Sequence, residues 1–71
     1  MSWNQAVFSS MISEVCYDTD SNELLVTFAK NGKRAAYQGV PEDKANELAN
    51  APSVGQMFLS EIRDSYPFRY V

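Results

Sequence analysis

The chain has no histidine, a single cysteine at Cys16, and only three glycines and three prolines in 71 residues. Without an imidazole the usual Ser/His and Cys/His nucleophile pairs cannot be built, so Ser9, Ser10 or Cys16 would need an unusual base such as a lysine. The expectation is therefore a protein without catalytic activity. One cysteine excludes an internal disulfide, and with no second thiol or imidazole a standard zinc site is excluded too. Cys16 reads as a small packed apolar side chain, and no metal or cofactor is expected. No run approaches the ~20 apolar residues that cross a bilayer. Residues Met1 to Ser10 lack both the basic residues and the apolar stretch of a secretory leader. These absences predict a protein of the reducing cytoplasm with no membrane association.

What is present fits one core. A chain of this length buries only about 60% of the surface its unfolded form exposes. Below roughly 70–80 residues one core supplies about 3–5 kcal/mol unless a staple or a partner chain helps, so self-association is one route to added stability. Nine acidic residues against six basic ones give a net charge of −3. A surface built wholly to neutralise phosphates is thereby disfavoured, and any nucleic-acid site must be a local patch.

The strongest local signal is Asn31-Gly32, a pair suited to a two-residue type I′ hairpin turn because both positions tolerate positive φ. Leu24, Val26 and Phe28 alternate before it, and Lys33 to Val40 runs without proline after it. Pairing Lys30 with Lys33 sets Phe28 opposite Ala35 and Val26 opposite Tyr37. This register places Leu24, Val26, Phe28, Ala35 and Tyr37 on the core face, with Leu25, Thr27, Arg34, Ala36 and Gln38 on the other. Upstream, alternation from Met11 to Tyr17 puts Met11, Val15 and Tyr17 on one side and Ile12, Glu14 and Cys16 on the other. The polar run Asp18 to Asn22 then breaks the chain. The prediction is a three-stranded antiparallel meander.

After Val40 the period lengthens to that of a helix. Pro41 suits the first helical position, and Glu42 and Asp43 meet the positive end of the helix dipole. Ala45, Leu48 and Ala49 make a narrow apolar stripe. Ser53 with Gln56 reads as a capping box opening a second helix. Val54, Phe58, Ile62 and Tyr66 recur along that helix every four residues, and Tyr66-Pro67 stops it. The aromatic tail Phe68 to Val71 is a possible short C-terminal strand. The predicted fold class is α+β, a β-meander packed against a C-terminal helical hairpin. Residues 1–71 form a single domain, and residues 1–8 are an extension whose order is left open.

Two apparent motifs fail on inspection. Asp18, Asp20 and Asn22 begin like a calcium loop, but Glu23 stands where the turn needs glycine and Ala29 where a bidentate glutamate would close the site. Gly39 and Gly55 lack the further glycine and Lys-Ser/Thr of a phosphate-binding loop. Gly55, in the first turn of the second helix, reads as a point of close backbone approach to the sheet.

Taken together, a set of residues resembles the KTSC domain, named after a C-terminal extension of some lysyl-tRNA synthetases, over about Ser9 to Arg69. It comprises Ser9-Ser10, Ile12, Tyr17-Asp18, the strand Leu24, Val26 and Phe28, Gly32, and Tyr37 with Gly39-Val40-Pro41. It continues through Ala51, Ser53, Gly55, Phe58, Ile62-Arg63, Tyr66-Pro67 and Arg69. The resemblance implies no catalysis. It implies a small domain found alone in bacteria and phages, for which RNA binding has been suggested. One departure stands out: the family's tyrosine pair on the third strand appears here as Ala35 and Tyr37, so the first tyrosine is missing.

The best candidate for a partner surface is the hairpin tip, where Lys30, Lys33 and Arg34 make up half of the basic residues. With Tyr37, Phe68 and Tyr70 nearby, cations and rings would suit single-stranded RNA or tRNA, where backbone attraction works alongside stacking. Lysines at a hairpin end also serve simply to keep an edge soluble. Arg63 and Arg69 complete the candidate set, with helix-end capping or pairing to Glu61 or Asp64 as the competing role for Arg63. Two functions follow: a non-catalytic RNA-binding module, or a protein-binding regulator or adaptor, of the kind a phage encodes, acting on a larger host protein through Trp3, Phe8, the tail or an unpaired strand edge.

Overall fold

The computed structural model describes residues 1–71 and contains five strands, not three. They are β1 (Ser2–Ala6), β2 (Ile12–Asp18), β3 (Glu23–Phe28), β4 (Arg34–Gln38) and β5 (Phe68–Tyr70). Helices α1 (Glu42–Ala49) and α2 (Val54–Met57) lie between β4 and β5, and α2 continues into a π-helical turn, Phe58–Ile62. The strands lie in sequence order, each antiparallel to its neighbour. The unexpected strand is β1. Its sequence Ser-Trp-Asn-Gln-Ala has one large apolar residue, because four of its five side chains are exposed, so no period-two signal marks it. The tail does return as β5, pairing Phe68 with Tyr37 and Tyr70 with Ala35.

A bulge in β2 corrects the alternation expected there. Ile12 pairs with Phe28 but Glu14 pairs with Thr27, so Ser13 is the extra residue. A bulged residue shifts the side-chain phase by one. Ile12 therefore turns inward together with Val15 and Tyr17, and all three are buried, whereas strict alternation sets Ile12 on the opposite face.

The β3–β4 hairpin keeps its predicted faces but not its register. Val26 pairs with Ala35 and Leu24 with Tyr37, a two-residue slip that returns every side chain to the same face. The turn is longer than type I′. Phe28 N–H donates to Lys33 C=O at 2.8 Å, and Gly32 N–H donates to Phe28 C=O at 2.9 Å. Only Gly32 takes positive φ there, at 72°, so Asn31 acts differently: its side-chain oxygen accepts the Lys33 N–H at 3.0 Å.

The helices cover one face of the sheet. Ala45, Leu48 and Ala49 of α1 are buried as predicted, with Pro41 as the residue before the first turn. Ser53 begins α2 without a side-chain capping bond, so the expected capping box does not form. The backbone then widens, and Arg63 N–H donates five residues back to Phe58 C=O at 2.9 Å. In an α-helix of 3.6 residues per turn, a residue four places on rotates by about 40°. The wider turn opposes that drift and leaves Phe58 and Ile62 both buried against the sheet. Gly55 does allow a close approach, to the segment before β2: an added Cβ would lie 3.3 Å from Ser9 Oγ and 3.5 Å from Met11 Cβ. Ser9 Oγ itself accepts the Met11 N–H at 3.1 Å.

Candidate functional site

A continuous chain of rings runs from the core to the surface. Phe28 meets Phe58 edge-on at 5.7 Å, and Phe58 meets Tyr37 edge-on at 5.5 Å. Tyr37 stacks on Phe68 at 5.1 Å, and Phe68 meets Tyr70 edge-on at 5.6 Å. Such contacts contribute about 0.5–1.5 kcal/mol each beyond burial. The chain ends in the open: Phe68 is 46% exposed and Tyr70 65% exposed.

Tyr70 and Phe28 share a groove of about 450 Å³ with Ser10, Met11, Lys30, Asn31 and Lys33 at the hairpin tip. The turn places both lysines here, exposed and without an acidic partner. Lys33 Nζ lies 6.0 Å from the centre of the Tyr70 ring, at the outer reach of a cation–π contact. The groove thus joins two exposed positive charges to the apolar side chains of Met11 and Phe28 and an accessible ring, a combination suited to holding a phosphate while stacking a base.

The other candidate residues stand elsewhere. Arg34 projects from the opposite face of the sheet, with Nη2 3.9 Å from Cys16 Sγ. Arg69 shares that face and pairs with Glu23 at 3.3 Å. Arg63 pairs with Asp64 at 3.4 Å, while Glu61 is held by Lys44 of α1 at 2.7 Å. Tyr37 is 2% exposed, so its ring is core and offers no face to a base. Burial pushes its hydroxyl pKa up. Of the six residues singled out in the sequence, only Lys30 and Lys33 line the groove. Met11, Phe28 and Tyr70 join them, and the signal for Tyr70 was the alternation Phe68, Tyr70 in the tail, which sets both rings on one face of a strand.

The open face of the sheet and the acidic turn have structural work. Cys16 is half-buried there, and burial followed by the nearby Glu14 raises its thiol pKa, the reverse of what activates a nucleophile. In the Asp18–Asn22 turn, Asp18 Oδ1 accepts the Asp20 N–H at 3.0 Å. Asn22, at φ 54°, places its carbonyl to accept the Val40 N–H at 3.0 Å. The Tyr17 hydroxyl donates to Val40 C=O at 2.6 Å. These bonds tie the turn to the start of the helical layer.

Architecture and groove together define a small α+β domain whose antiparallel meander carries helices on one side only. The chain belongs to the KTSC domain family, whose model matches residues 8–66. It is similar over 100% of its length to the crystal structure of a KTSC domain protein from Yersinia pestis, at 31% identity, covering 99% of that chain with a TM-score of 0.90. A search of curated proteins finds no match. No helix is long and apolar enough to cross a membrane.

Proposed function

We propose that this KTSC domain is a non-catalytic module that binds single-stranded RNA, including exposed strands of tRNA, in the groove between the hairpin tip and β5. The observation that carries the reading is the convergence of Lys30 and Lys33 with the exposed Tyr70 ring on one groove. A second feature supports it. Tyr70 stands directly across from Ala35, so β5 returns a ring to the face where the family's first tyrosine is missing. The absence of histidine and the raised thiol of Cys16 support binding without catalysis.

Fluorescence anisotropy of labelled single-stranded RNA and tRNA at several salt concentrations tests the proposal. Two phosphate contacts predict a log–log salt slope of about −1.4, from roughly −0.7 per contact on single strands. Lys30→Ala/Lys33→Ala should flatten that slope. Tyr70→Ala should weaken binding by about 1–3 kcal/mol per lost stack without changing the slope. Absence of binding at low salt would defeat the proposal. A protein-binding adaptor is the second reading, favoured by the fully exposed Phe8, at 102%. Trp3 does not support it, being turned onto Tyr17 at 5.9 Å with its Nε1–H donating to Glu42 at 3.2 Å.

A further inference from the structure

Strand β1 forms one edge of the sheet, and its ladder identifies which backbone groups are unused. Val7 N–H donates to Ser13 C=O and Thr19 N–H to Met1 C=O, within a register that sets Trp3 opposite Tyr17 and Gln5 opposite Val15. Met1, Trp3, Gln5 and Val7 therefore turn their peptide groups toward β2. In an antiparallel ladder the intervening residues point theirs the other way, so Ser2, Asn4 and Ala6 aim N–H and C=O outward.

Natural edges are usually blunted by lysine, proline, a bulge or a covering segment. None of these protects β1. Its five residues are Ser-Trp-Asn-Gln-Ala, without charge, proline or glycine, and its pairing with β2 is regular from Ser2 to Ala6. The opposite edge differs: β5 is three residues long and carries Arg69. Pairing β1 with β5 of another copy would be heterologous and would extend without closing, whereas pairing β1 with β1 about a two-fold axis closes after two copies. Centred on Asn4, that axis sets Asn4 opposite Asn4 and Ser2 opposite Ala6, with no charges facing each other on a protein whose net charge is −3.

We infer that the exposed edge of β1 is a docking surface for a second copy of this chain, joining two five-stranded sheets into one antiparallel sheet with the two-fold axis at Asn4. The contact supplies the partner-derived stability that a single small core lacks, and no residue of β1 lines the hairpin-tip groove of either copy.

Sedimentation equilibrium over micromolar to millimolar protein tests this. The mass should rise with concentration from the 8.0 kDa of one chain toward twice that value. Asn4→Pro removes an outward N–H, which an edge strand tolerates, and should raise the dissociation constant at least about tenfold while leaving the circular dichroism spectrum intact. If Asn4→Pro fails to fold, Asn4→Lys carries the test, since it puts two like charges directly opposite each other across the axis and should give the same loss. Asn4→Cys in a Cys16→Ser background should oxidise to a covalent dimer, because directly opposed hydrogen-bonded residues have Cα atoms about 5.5 Å apart, within disulfide reach. A wild type that stays at 8.0 kDa up to millimolar concentration overturns the proposal. So does association that survives Asn4→Pro and Asn4→Lys unchanged, or a cysteine variant that dimerises without cross-linking.

Discussion

The two faces of the sheet are built from the same strands and do opposite things. On the covered face Ile12, Val15, Tyr17, Leu24, Val26, Ala35 and Tyr37 meet Leu48, Phe58 and Ile62, all buried. The open face carries Cys16, Glu23, Leu25, Arg34 and Arg69, with Ala36 buried among them. Packing within the first set is enforced from both sides, so loss of volume there leaves a cavity. The second set is bounded by water, and its ion pair is free to relax. Stability should therefore be concentrated on one face, while the open face tolerates change.

Phe58→Ala is expected to give the largest effect, because this ring touches both Phe28 and Tyr37. A loss of about 3–5 kcal/mol in urea unfolding would leave the domain largely unfolded, and a loss under about 1 kcal/mol would contradict the comparison. Tyr17→Phe, also on the covered face, leaves Val40 C=O without its 2.6 Å donor and should cost about 1–3 kcal/mol.

The same face sets an alkaline limit. Tyr17 and Tyr37 both have pKa values raised from 10.0, chiefly by burial. In the unfolded chain they ionise first, so the stability they confer is complete below pH 10 and is lost as pH rises from there through the folded values. Thermal midpoints should fall above pH 10, and less steeply in Tyr37→Phe. Gly32→Ala, in the turn joining β3 to β4, should cost about 1–2 kcal/mol for a side chain at positive φ. The smallest effect belongs to the open face. Arg69→Ala breaks the pair between this exposed guanidinium and the half-buried Glu23 and should change stability by less than about 1 kcal/mol. A larger loss would show that the open face contributes as packing.

Much of the covered face was readable in the chain. Leu24, Val26, Phe28, Ala35 and Tyr37 have the period of a strand, and Ala45, Leu48 and Ala49 the spacing of a helix stripe, because burial on one side demands those periods. The hairpin register slipped by two residues without consequence for either face, since a strand repeats every two. What escaped notice lacks such a signature. Strand β1 buries too little to show alternation. The bulge at Ser13 requires the β3 ladder for its definition, and the π-helical turn is a response of backbone to the sheet beneath Phe58 and Ile62. The groove was half visible: Lys30 and Lys33 are near in sequence, but Tyr70 arrives from 37 residues beyond Lys33.

Composition and periodicity by themselves determined that this is a small α+β domain without histidine, with one thiol, and with half of its basic residues clustered in sequence around Asn31-Gly32. Those properties depend on which residues exist and how they repeat, and local sterics and burial suffice to read them. Tertiary structure alone decided which of the basic residues share a groove, that the Tyr70 ring stays open at the end of the chain of rings, and that β1 ends the sheet with unused hydrogen-bonding groups. Each of these depends on contacts between segments distant in the chain, where the pairing of strands chooses the neighbours.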